Sequence, residues 1–253
     1  MEKQYGTCLF AQIPIRESIT HTSEMVSQLL FGEGFAIEDK YQHLLKIRTL
    51  FDNFSGWIDS RQVILTEECP HEATVFTGSH DAVIERSVDY AKFRVGMGCP
   101  LPDYADGKFV MDNTIFRYEG CIRQAIGGVK SIIDVAQKFI NTPYLWGGRS
   151  SFGIDCSGLS QIVFRLNGIS LPRNAAWQAN KGTAVNFISE AQPADLFFFD
   201  NENCDITHVG IYLGDNKIIH SSSFVHISNV DGEGILRSDG KGYTHHLRII
   251  KRM

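Results

Sequence analysis

A chain of 253 residues with 43% apolar and 21% charged residues has the makeup of an ordinary globular protein, with room for one large domain or two or three small ones. A formal net charge of −5, with no basic run interleaved with aromatics, argues against nucleic acid or an anionic membrane as the main partner. No window is long and apolar enough to span a bilayer, and the opening residues lack the apolar stretch of a secretory signal, so the expected location is the cytoplasm.

Up to about residue 125 the chain reads as β-rich. Gln42–Leu50 and Gly56-Trp-Ile-Asp are short, alternating and bounded by turn formers, and Tyr104–Met111 carries a hairpin signal with Asp106-Gly107 at the turn. Strands this short and evenly spaced suggest small barrels rather than a parallel sheet. From about residue 128 the period changes. Ser131–Ile140 places Ile132, Val135, Ala136 and Phe139 on one helical face, with Ser131 as the expected cap and Pro143 beyond the end. A second helix is expected from Cys156 to about Leu166, closed by Asn167-Gly168. Ala194–Phe199, His208–Leu213 and Lys217–Ser222 then read as strands, so this half is expected to be an α+β domain.

Six cysteines are scattered with no Cys-x-x-Cys pair, which suits free thiols rather than a disulfide framework or a zinc ribbon. Cys156 differs from the others in its surroundings. A Gly-rich run, Trp146–Gly153, leads through Ile154 and Asp155 into the helix that Cys156 opens. A thiol there meets the positive end of the helix dipole, which favours the thiolate, and free backbone N–H groups stand ready for an oxyanion. A nucleophilic thiol needs an imidazole to take its proton, and that imidazole needs a third group to orient it. His208 and His220, opening one strand and lying within the next, supply both. His226, His245 and His246 read as ordinary strand residues. A zinc site built from Cys156, His208 and His220 matches no familiar ligand spacing and lacks an obvious fourth ligand, so neither metal nor other cofactor is expected.

Pro143-Tyr-Leu-Trp-Gly-Gly, Asp155-Cys-Ser-Gly, Leu171-Pro-Arg, Pro193-Ala-Asp-Leu and His208-Val-Gly-Ile-Tyr-Leu-Gly resemble, in this order, the motifs of the NlpC-type cell-wall peptidases. The resemblance spans about residues 128–225. It implies a papain-like core with Cys156 as nucleophile, His208 as base and His220 as the orienting residue. Within that family the chain looks closest to the γ-D-glutamyl-L-diamino acid endopeptidases, which carry bacterial SH3-like barrels ahead of the catalytic domain. Ser23–Glu33 and Gly56–Gln62 resemble such a barrel. The implied organisation is a barrel over 1–62, a second over 63–125 and an α+β papain-like peptidase over 126–253. The implied reaction is cleavage of murein-derived peptide after L-Ala-γ-D-Glu, with a free L-Ala amine required.

A buried ammonium needs a carboxylate and further acceptors. The matching family positions are Asp155 and Ser157, with Tyr144 and Trp146 lining the same pocket. Glu33, then Glu24, are the acids that the barrel is expected to add. Two departures from the pattern bear on specificity: Phe54-Ser55 precede Gly56-Trp57 where relatives often have tyrosine, and Asn174-Ala175 follow Leu-Pro-Arg where relatives often have Asp-Ser. The alternatives are a non-catalytic muropeptide-binding protein and another amide hydrolase or acyltransferase on the same core. A relic would be expected to have lost Cys156, His208 or His220, and all three are present.

Parity adds a geometric expectation. His208 and His220 share a sheet face only if paired residues sum to an even number. A simple two-residue turn at Asp215-Asn216 would separate them. The catalytic reading therefore expects a three-residue loop, Gly214–Asn216, or a bulge with the same effect, and His220 opposite Gly210.

Overall fold

A computed structural model describes residues 4–253. The chain divides into two compact units. The first runs to Ala125 and also takes in Trp146–Phe152; the second is Ile126–Leu145 with Gly153–Met253.

In the first unit, β1 (Tyr5–Cys8), β2 (Gln12–Arg16), β3 (Met25–Leu30), β4 (Gly34–Tyr41), β5 (Leu44–Thr49), β6 (Ser55–Asp59) and β7 (Val63–Thr66) form one antiparallel sheet, ordered β3-β2-β6-β5-β4-β1-β7. Alternation decides which side chains face inward: Ile13 and Ile15 of β2, Leu45 and Ile47 of β5 and Ile58 of β6 are buried around Phe35 and Cys8. The sheet runs into residue 66, beyond the 62 read from the sequence.

A second group follows: β8 (Val75–Thr77), β9 (Ala82–Arg86), β10 (Lys92–Val95), β11 (Lys108–Met111), β12 (Thr114–Arg117) and β13 (Ile122–Gln124). Four of these strands pair as β10-β9-β12-β11, while β13 pairs with β8. Phe109 and Phe116 stack at 5.3 Å, with Phe31 edge-on at 6.3 and 5.8 Å, so an aromatic cluster fills this small core. Asp106-Gly107 does make a turn, both residues having positive φ, but it precedes β11; the β11–β12 hairpin turns at Asp112-Asn113.

The second unit opens with α1 (Val129–Lys138), which buries Ile132, Val135 and Ala136. This helix begins before the expected cap. Gly128 holds the N-cap position, and the Ser131 hydroxyl bonds Asn167 instead. Next come the short β14 (Arg149–Ser150), which belongs to the first unit, and β15 (Gly153–Ile154) of the second. α2 (Cys156–Arg165) is buried from Cys156 through Phe164, as befits a helix with few charges. Its start is fixed by the Asp155 carboxylate, which accepts from Gly158 N–H at 2.7 Å. Its end is marked by Gly168 at φ 80° and by Asn167, whose amide donates to the Val163 carbonyl.

After α3 (Ala175–Gln178) come β16 (Thr183–Val185), β17 (Leu196–Asp200), β18 (Ile206–Gly214), β19 (Lys217–Ser222), β20 (Phe224–Asn229), β21 (Gly234–Leu236) and β22 (Tyr243–Arg252). They form an antiparallel sheet ordered β16-β22-β17-β18-β19-β20, with β21 on β22. α2 packs against β18 and β19. Phe197, Phe199, Tyr212, Ile218 and Ile250 make a core cluster, Phe197 stacking on Tyr212 at 4.8 Å. No helix among the described residues is long and apolar enough to cross a membrane.

Candidate active site

The β18–β19 hairpin sets the site. Tyr212 pairs with Ile218 and Gly214 with Lys217, which leaves Leu213 as a bulge. Asp215-Asn216 form a two-residue turn with φ of 49° and 56°. The bulge alternative is therefore the one realised, and it restores the parity that a two-residue turn alone would break. His220 lies opposite Gly210, and its Nδ1 is 2.9 Å from His208 Nε2. Gly210 makes room for this approach: a Cβ there would lie 2.6 Å from Ile218 Cδ1 and 3.1 Å from His220 Cβ. On its far side, His220 Nε2 is 3.0 Å from Ser228 Oγ.

Cys156 opens α2 against the same strand. Its Sγ lies 4.0 Å from the Thr207 carbonyl and accepts the N–H of Val209, so both main-chain neighbours of His208 touch the sulfur. Burial raises the thiol to about 12, and the adjacent Asp155 carboxylate adds to the rise; the N–H groups of Val209 and Ser157 and the Arg173 guanidinium pull the other way. Burial also drives His208 well below its ordinary value and His220 to about 3. Burial thus opposes charge on both members of the pair. Against the thiolate expected from the helix dipole stands the loss of water around a buried sulfur.

Asp155 does more than cap α2. Arg173 binds it with two nitrogens, at 3.0 and 2.5 Å, and also donates to Ser157 Oγ at 2.9 Å. Arg173 is 1% exposed and Asp155 5%, so this is a buried, bidentate ion pair beside Cys156. Tyr144 sits half-buried close by; burial, then the nearby Cys156 and Asp155, push its phenol up to about 12.

The remaining sequence candidates belong to the first unit. Trp146 is exposed and its indole N–H donates to Glu24 at 2.5 Å. Glu33 is buried at 1% exposure and holds Arg149 through two contacts, 2.9 and 3.0 Å, while accepting from Leu30 N–H. Arg149 also stacks its guanidinium over Phe51 at 4.4 Å. The structure thus gives Glu33 a guanidinium partner rather than exposing it to a substrate amine.

Sequence reasoning passed over four residues. Arg173 stood within the Leu171-Pro-Arg motif, which was the available signal. Ser228 and His226 lie on β20, with His226 directly opposite His220 and the rings 4.5 Å apart. His245, set aside as an ordinary strand residue, stacks on His208 with centroids 4.1 Å apart. Among the described residues, one group could offer three metal ligands: His21, His43 and Asp59 of the first unit. The two rings are near parallel, their Nε2 atoms 2.9 Å apart and their centres 5.2 Å apart. Each nitrogen therefore points at the other, as in a hydrogen bond, and Arg61 already occupies Asp59.

Residues 141–241 match the NlpC/P60 family, and residues 15–63 match the bacterial dipeptidyl-peptidase Sh3 domain. The chain is 32% identical over 213 residues to the γ-D-glutamyl-L-lysine dipeptidyl-peptidase of Bacillus subtilis (strain 168), covering 77% of this chain and 71% of that protein. It is 25% identical over 232 residues to the Bacillus cereus (strain ATCC 10987) protein of the same name, covering 80% and 69%. A crystal structure of an NlpC/P60 family protein from Bacillus cereus ATCC 10987 has a similar fold, with a TM-score of 0.83 at 18% identity over 98% of this chain and 99% of that one.

Proposed function

We propose, for a chain that belongs to the NlpC/P60 family of cysteine peptidases, that it hydrolyses the bond between γ-D-glutamate and a diamino acid in murein-derived peptides bearing a free N-terminal L-Ala. The observation that carries the reading is the hydrogen-bonded line His208–His220–Ser228, together with the Cys156 sulfur at the start of α2 against the Thr207 carbonyl and Val209 N–H that flank His208. The names of the two Bacillus relatives supply the substrate class.

The tautomers follow from function. If His208 is to receive the thiol proton on Nδ1, its Nε2 must carry a hydrogen and donate to His220 Nδ1. His220 Nε2–H then donates to Ser228 Oγ, and the chain is satisfied end to end. Burial opposes a charged resting pair, so the proton passes from Sγ to His208 as sulfur attacks the γ-glutamyl carbonyl. An acyl-enzyme forms, the diamino acid leaves with a proton from His208, and water releases the dipeptide. His220 keeps the imidazole aligned and faces its developing charge.

On the amine side, Asp155, Ser157 and Tyr144 are read as the face that receives L-Ala, with Trp146 and Glu24 as the candidates from the first unit. Asp155 arrives already paired with Arg173, so its carboxylate is held in one orientation and its net attraction for an ammonium is moderated. The two sheet groups of the first unit are read as successive SH3-like barrels. The experiment is to compare hydrolysis of L-Ala-γ-D-Glu-L-Lys with its N-acetylated form. A strong preference for the free amine is expected; equal rates sink the dipeptidyl specificity, and binding without hydrolysis of either points to the non-catalytic muropeptide-binding reading.

A further inference from the structure

The sheet of the second unit gathers four histidines on one face. Phe199 pairs with His208 on one side and with Leu247 on the other, so His245, two residues from Leu247, shares the face of His208. Gly210, two residues from His208, pairs with His220, and His220 pairs with His226. The rings meet accordingly. His245 lies over His208 with an interplanar angle of 26° at 4.1 Å, while His220 meets His208 edge-on at 87° and 5.1 Å. Phe199 closes against both His208 and His245, at 5.9 and 6.0 Å. His245 is itself anchored, its Nδ1 lying 3.0 Å from Thr244 Oγ1.

A hydrogen bond at Nε2 fixes where the His208 ring points, but it leaves rotation about the line of that bond. A second ring laid flat on the imidazole removes that freedom. We infer that His245 is a positioning residue for the base: its stacked ring fixes the plane of His208, and its own protonation opposes charge on His208. This inference rests on the peptidase reading of Cys156 and His208.

The titratable groups around the pair are Cys156 against β18, His220 on β19, His226 on β20 and His246 beside His245 on β22. Asp200, the acid of the intervening β17, is engaged by Arg248 at 3.7 Å. No carboxylate in that set offsets charge on the two stacked rings. After burial, His245 is the next largest influence that lowers His208. A stacked apolar ring in place of His245 should therefore hold the plane yet release His208 upward, toward the ordinary histidine value.

Two variants of the full chain separate the two effects. His245→Ala removes the stack, and its plateau kcat should fall roughly ten- to a hundred-fold, the range a misplaced catalytic group produces, with KM within about twofold of the unaltered enzyme because no substrate contact is removed. His245→Phe keeps the stack and should retain plateau kcat, while the acid limb of kcat/KM moves to higher pH. The same upward shift should appear in the imidazole NMR titration of His208 in a Cys156→Ser background, a readout that needs no turnover. A His245→Ala plateau within about twofold of the unaltered enzyme overturns the inference, and so does a His208 titration unmoved by His245→Phe. Absence of hydrolysis by the unaltered chain would instead refute the peptidase reading, leaving the NMR titration to decide the role of His245.

Discussion

Removing the Glu33 carboxylate should destabilise the first unit far more than an average substitution. In Glu33→Ala the Arg149 guanidinium stays buried at 0% exposure, without contacts of 2.9 and 3.0 Å to a negative charge. The Leu30 N–H loses its 2.9 Å acceptor as well. Stripping one partner from a buried ion pair costs about 3–5 kcal/mol, against a whole-protein stability of about 5–15 kcal/mol. The Gln28 carbonyl and the Phe51 ring still touch Arg149 and moderate the loss. At about 2–4 °C per kcal/mol for a chain of this size, the apparent Tm should drop by roughly 6–20 °C. Urea unfolding followed by tryptophan fluorescence reads this directly. The double variant Glu33→Ala/Arg149→Met, which removes both charges, should recover much of the loss. A Glu33→Ala protein within about 1 kcal/mol of the parent, the scale of an ordinary substitution, would refute the reasoning and return Glu33 to the amine-binding role read from the sequence.

Cys156→Ala should abolish hydrolysis while leaving substrate binding measurable by calorimetry. Iodoacetamide should inactivate the parent chain through Cys156 and do so much more slowly in His208→Ala, because a buried thiol depends on that imidazole to give up its proton; labelling of the exposed Cys69, Cys121 and Cys204, followed by mass spectrometry, should not change. Between pH 6.5 and about 3, the unfolded chain binds a proton that folded His220 refuses, so stability should fall as the pH falls through that window, by up to ~1.4 kcal/mol per unit. His220→Gln should flatten the slope in urea titrations at several pH values. Arg173→Met should leave Asp155 buried without its guanidinium and reduce kcat/KM on the free-amine substrate more than the conservative Arg173→Lys, which keeps the charge but not the bidentate fork.

How much of this was legible in the sequence depends on the range over which each feature is decided. The helix opened by Cys156 and closed by Asn167-Gly168 follows local rules of capping and periodicity, and the structure agrees with both ends. The shared face of His208 and His220 followed from residue parity plus one bulge, though its position at Leu213 did not. His245 could not be found that way. Its place over His208 depends on two strand registers passing through Phe199, including a shift between Phe198 and Phe199, and no local pattern encodes that sum. The pull of burial on Cys156 escaped the sequence for a related reason: the helix dipole is visible there, whereas burial of the sulfur is a property of the packed unit. Glu33 was expected to meet a substrate amine for want of its true partner, since Arg149 is far along the chain and lies in a Gly-rich run that reads as a loop.

The excursion of Trp146–Phe152 has a consequence for synthesis on the ribosome. The chain passes between its two units after Ala125, after Leu145 and after Phe152. An N-terminal half that has just emerged through residue 125 therefore lacks Arg149, the cation that its buried Glu33 needs. Glu33 must wait until residues well into the second half have been translated. Folding of the first unit is completed from downstream, which sets this chain apart from proteins whose domains finish one after another in order of synthesis. For the same reason, a cut at residue 126 does not yield two self-sufficient pieces: the C-terminal fragment carries off a buried arginine, and the N-terminal fragment keeps the carboxylate that matched it.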